Sequence, residues 1–75
     1  MNYKTSDLYL AAFLRAKGEE LENIEKNGPK MTFVFKKDHE ELKDEIIKFY
    51  NAQGSIEPLK FIDAIRNMKS LTFNA

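Results

Sequence analysis

Residues 8–14 read LYLAAFL, seven apolar side chains without a break, with Thr5, Ser6 and Asp7 before them and Lys17 and Gly18 after. This is the layout of a helix. Thr5 or Ser6 can cap its start, and Asp7 puts negative charge in the first turn, where the positive end of the helix dipole favours it. Lysine followed by glycine is a stop signal, since glycine turns left-handed at little cost. A helix apolar on nearly every side is wedged between other elements, not laid on a surface. Ala11, Ala12 and Ala16 let its neighbours approach closely.

The period then changes. MTFVF, residues 31–35, puts Met31, Phe33 and Phe35 on one side and Thr32 and Val34 on the other, which describes a strand. Just ahead of it, Asn27, Gly28 and Pro29 form a turn signal, so residues 20–26 are expected to pair with 30–36 as a β-hairpin. The first of these strands is weakly specified. Leu21 and Ile24 are three apart, which in a regular strand sends them to opposite faces. A further short strand is expected around Tyr3, within residues 1–5.

Two more helices follow. Asp38 with Glu41 three residues on is a capping box with aspartate in the serine position. Leu42, Ile46 and Phe49 then make one face, widened by Ile47 and Tyr50. The stretch 51–54, NAQG, ends that helix. Pro58 suits the first turn of the last helix, with Ser55 or Glu57 before it. If Glu57 is the cap, Ile56 and Phe61 have the spacing of a hydrophobic staple. Phe61, Ile62, Ile65, Met68 and Leu71 form the expected buried stripe. The reading is therefore a single α+β domain over residues 1–75: a small, mainly antiparallel sheet of two or three strands built on the central hairpin, with three helices. The order is β-α-β-β-α-α, with the first helix between the phenylalanine face of the hairpin and the two C-terminal helices.

Composition narrows the chemistry more than it defines it. A chain of 75 residues lies near the lower end of what folds without staples, and it contains no cysteine, so disulfides, thiolate zinc sites and a cysteine nucleophile are all excluded. The longest apolar run is far below the ~20 residues that span a bilayer, and a soluble cytoplasmic protein with no membrane partner is expected. Twelve basic and twelve acidic residues cancel, so nothing in the net charge draws the chain to nucleic acid. The charges alternate in blocks, and the basic block is the MTFVF strand with Lys30, Lys36 and Lys37 at its ends. Ordinary helix starts and hairpins produce such alternation.

His39 is the only histidine. HEELK resembles the opening of a zinc-protease helix, but the second histidine that motif requires is Lys43 here. Ser6, Ser55 and Ser70 each have a turn or cap explanation, and Gly18, Gly28 and Gly54 stand isolated at element boundaries, so no phosphate loop forms. No enzyme activity, catalytic residue, cofactor or metal site is expected. Aromatics alternating on a strand and rimmed by lysines can stack single-stranded bases, which makes Lys30, Lys36 and Lys37 the candidate nucleic-acid contacts. The competing reading, that Phe33 and Phe35 pack beneath the helices, is favoured because three apolar helix stripes need a partner layer. Tyr3, Tyr9 and Tyr50 are either interface anchors or core-edge residues. Met68, Leu71 and Phe73 are the candidate protein interface, since that stripe runs to the end of the chain.

The blocks TSDLYLAAFL, TFVF, FYN and EPLKF together resemble a family of short prokaryotic and phage-encoded proteins classed only as a domain of unknown function. The similarity covers about residues 3–71. It implies a compact α+β domain that often stands alone, and it carries no activity. Two function classes remain: a non-catalytic interaction or accessory module, associated with phage or mobile elements, whose partner is another protein or a second copy in a homodimer; and, as the alternative, a nucleic-acid-binding accessory protein using the lysines around the 20–37 hairpin.

Overall fold

The computed structural model describes residues 2–74. Its elements run β1 (Lys4–Thr5), α1 (Leu8–Ala16), β2 (Leu21–Asn27), β3 (Lys30–Phe35), α2 (His39–Tyr50) and α3 (Pro58–Asn74), so the order is β-α-β-β-α-α as expected. The strands form one antiparallel sheet, β1-β3-β2, with β3 in the middle. Tyr3 extends the first strand: its amide donates to the Lys37 carbonyl, and its carbonyl accepts from the Phe35 amide.

The hairpin turns on Gly28 and Pro29. Gly28 has a positive φ, and proline after it cannot, so the turn has glycine at the first central position, as type II′ requires. Pairing starts with Asn27 opposite Lys30 and proceeds regularly to Ile24 opposite Phe33 and Asn23 opposite Val34. Leu21 then lies opposite Phe35, so β2 uses one more residue than β3 over this step. That β-bulge, which inserts Glu22, corrects the expectation that Leu21 and Ile24 face opposite ways. The extra residue restores phase, and both side chains pack on the core.

Phe33 and Phe35 are buried beneath α1, as their alternation predicts. The other face of β3 carries Thr32 and Val34, and Val34 is only 5% exposed. The stems of longer polar side chains cover it. Lys4 and Glu25 form an ion pair of 3.2 Å across that face, and Asn2 donates to Glu22 beside them.

Every residue from Leu10 to Leu14 is buried, which places α1 at the centre of the domain. Its cap is Asp7, not Thr5 or Ser6. The Asp7 Oδ1 atom accepts from the Tyr9 and Leu10 amides at 3.0 and 3.1 Å, while the Thr5 hydroxyl accepts from the Asp7 amide one step upstream. On α2 the capping box forms in both directions between Asp38 and Glu41. Leu42 and Ile46 are buried and Phe49 half-buried, but Ile47 and Tyr50 are exposed and do not widen the face. On α3, Glu57 is the cap, its carboxylate accepting from the Lys60 amide at 2.9 Å, and Ile56 and Phe61 both pack on the core. The inward stripe is Phe61, Ala64, Ile65 and Met68. Ile62 and Leu71, expected in that stripe, fall outside it. Arg15 and Ala16 lie beside Lys60 and Ala64, and Leu8 beside Thr72, so α3 runs antiparallel to α1.

Candidate functional site

The three hairpin lysines do not form a stripe. Lys36 and Lys37 leave one end of β3 and meet Glu20 and Glu19 at 2.7 and 3.0 Å, whereas Lys30 sits at the turn, the opposite end of the strand. The hydrogen bond and the charge of Glu20 raise the Lys36 ammonium above its usual value, and the same contact lowers the Glu20 carboxyl. Two of the three cations are thus already paired with acids, and both phenylalanines beside them are buried. Labelled single-stranded and duplex oligonucleotides at about 150 mM salt should therefore bind with a Kd weaker than about 1 µM. Tighter binding that falls when Lys30, Lys36 and Lys37 become glutamine would show that these side chains do act together.

His39 is exposed at the first turn of α2, its ring 5.8 Å from that of Tyr3. Among the described residues no three acidic or histidine side chains are grouped so as to hold a metal ion. Ser6 lies 3.5 Å from the Thr32 hydroxyl, and Ser55 and Ser70 are exposed.

One polar junction was not visible from the sequence. The Asp7 carboxylate that caps α1 also accepts from the Tyr50 hydroxyl, at 3.0 Å through its second oxygen, and so ties the end of α2 to the start of α1. Tyr9 stands exposed beside it, while Tyr3 packs against the core. Desolvation, then the hydrogen bond to Asp7, raises the Tyr50 phenol above its ordinary value of 10.0. A raised phenol means that the folded state favours the protonated form. The resulting stability is complete below pH 10 and is lost as pH climbs through the folded value. Unfolding measured between neutral and strongly alkaline pH should show this loss in the wild type and a smaller one in Tyr50→Phe. Identical alkaline limbs would mean that the Asp7 contact does not hold in solution.

The candidate interface residues on α3 separate. Met68 is 1% exposed and belongs to the core. Leu71, 44% exposed, lines a groove of about 290 Å³ between α1 and α3, with Ala16, Ala64 and Met68 as its apolar lining and Arg15 and Lys60 among its polar residues. Phe73 is 88% exposed and points the other way. At about 100° per residue, Phe73 falls within roughly 60° of Leu59 and Ile62 on the helix, which are 67% and 42% exposed. The sequence places Ile62 in the buried stripe and assigns Leu59 to no surface, because a spacing of three is also that of a buried stripe.

Among the described residues no helix is long and apolar enough to cross a membrane. No curated protein and no solved structure matches the chain. A family model described as a domain of unknown function, DUF5659, matches residues 1–74, and by that match the chain belongs to this family.

Proposed function

We propose that this domain is a non-catalytic interaction module whose contact element is the outer face of α3. The observation that carries the reading is that Leu59, Ile62 and, three turns further on beyond Arg66 and Lys69, Phe73 share that face, three large apolar side chains that the fold does not bury. Isolated exposed apolar residues are common on any surface, but a row on one helix is how helices dock into partners. The dispersed and partly paired lysines favour this reading over nucleic-acid binding. A cytoplasmic setting goes with it, on a cysteine-free composition that asks for no oxidising compartment, and association with phage or mobile elements on the resemblance of the sequence blocks alone.

A photo-crosslinking residue at position 62 tests the proposal in cells that produce the protein, with the same residue at Asp44, on the solvent face of α2, for comparison. Position 62 should yield a discrete protein adduct that disappears when Leu59→Glu is added, and position 44 should not. No discrete adduct from position 62, or the same adducts from both positions, would argue against α3 as the contact element.

A further inference from the structure

We infer that the partner of α3 is a second copy of this chain, bound by reciprocal insertion of Phe73 into a hollow at the hairpin end of the domain. This rests on the reading of α3 as the contact element and assigns its occupant.

The hollow is an open depression of about 350 Å³ lined by Leu8, Pro29, Met31 and Phe33, with Lys30, Ser6 and Thr72 completing its wall. A site of about 150 Å³ with apolar walls accepts a benzene molecule, so this one has room for a phenyl ring. Phe73 follows directly on Thr72, yet it cannot use the hollow of its own chain through the helix. Thr72 occupies the inward side, and Phe73 is turned about 100° away, almost wholly in solvent. A knob and a hole therefore adjoin on one surface. Such a patch is self-complementary: a two-fold axis beside it sends each ring into the other copy's hollow, and the contact closes at two chains.

Charge favours the same occupant. The last turn of α3 carries no basic residue, so its carbonyl end keeps the negative pole of the helix dipole. Lys30, on the rim of the hollow, already lies beside the end of its own chain's α3, and in the dimer it also meets the face of the partner copy's Phe73 ring, which attracts a cation. The area sets the strength. Two rings remove roughly 300–500 Å² from water and the hollow walls a similar amount, below the ~1,200 Å² of standard interfaces, so the dimer is weak and depends on concentration.

Sedimentation from about 10 µM to about 1 mM is the test. The wild type should pass from monomer to dimer mass, while Phe73→Ala, which removes the knob, and Ser6→Trp, which fills the hollow from an exposed position, should each stay monomeric with unchanged circular dichroism. An equimolar mixture of the two variants retains one intact knob and one open hollow, so it should regain association, at lower affinity than the wild type. A wild type that stays monomeric throughout, or a dimer indifferent to both substitutions, overturns the proposal. So does a dilution-independent nuclear Overhauser contact between Phe73 and Met31 of the same chain. If the wild type is monomeric but position 62 still yields a discrete adduct with another protein, this inference fails while α3 remains a contact element. If the wild type is monomeric and position 62 yields none, both fail.

Discussion

Phe33→Ala should remove about 3–5 kcal/mol of stability, much of what a domain this small possesses. At typical values per residue, 75 residues hold roughly 4–11 kcal/mol in total. Phe33 is 2% exposed at the middle of the central strand, with Ile24 on one side, Thr5 on the other and the buried side chains of α1 in the same core. No neighbour can collapse into the gap without pulling on a strand or on α1, so the cavity persists. Thr32→Ala, one residue away on the opposite face, should cost less than about 1 kcal/mol. Urea or guanidinium midpoints measure both. Equal and small losses at the two positions would mean that Phe33 does not belong to the core.

The second large effect is expected at Gly54, in the connection between α2 and α3. A Cβ there would stand 2.6 and 2.7 Å from two atoms of the Phe13 ring. Phe13 is a buried residue of α1, and its ring also packs against Phe49 at 5.3 Å between centroids, so it cannot swing aside. Gly54→Ala should destabilise by about 1–3 kcal/mol through overpacking. Trimming the ring relieves the same clash, so Phe13→Leu combined with Gly54→Ala should cost less than the sum of the two separate changes. Strict additivity would show that the connection moves away from Phe13 freely. Gly18 is different in kind: it has open space around it and a φ of +98°, so alanine there meets backbone strain and no neighbour.

Those residues also show what was legible beforehand. The element order, the Asp38–Glu41 capping box, the Glu57 cap with Ile56 and Phe61 on the core and the inward facing of Phe33 and Phe35 all follow from short-range spacing, and the structure has each of them. Features set by a distant partner were not legible. The bulge at Glu22 depends on the register of β2 against β3, and the covering of Val34 on Lys4 and Glu25 meeting across the sheet. Asp7 serves as the cap in place of Thr5 or Ser6, with Tyr50, 43 residues away, hydrogen-bonded to it. How wide a helix face is buried depends on how many neighbours press on it. For that reason Ile47, Ile62 and Leu71 lie outside stripes whose centres were placed correctly, and Met68, Leu71 and Phe73 form no common surface. The pairing of Lys36 and Lys37 with Glu20 and Glu19 likewise needed the hairpin to be folded.

The account centres on an outer face of α3 that contributes nothing to the fold and is free for a partner. Its most direct test is the unfolding free energy of the triple variant Leu59→Ala, Ile62→Ala, Phe73→Ala, measured at a concentration low enough to keep the wild type monomeric. Alanine preserves helix propensity, so the change isolates packing. The account predicts a stability within about 1 kcal/mol of the wild type. A loss of about 3 kcal/mol or more would contradict it, because these side chains would then belong to the core of the domain itself.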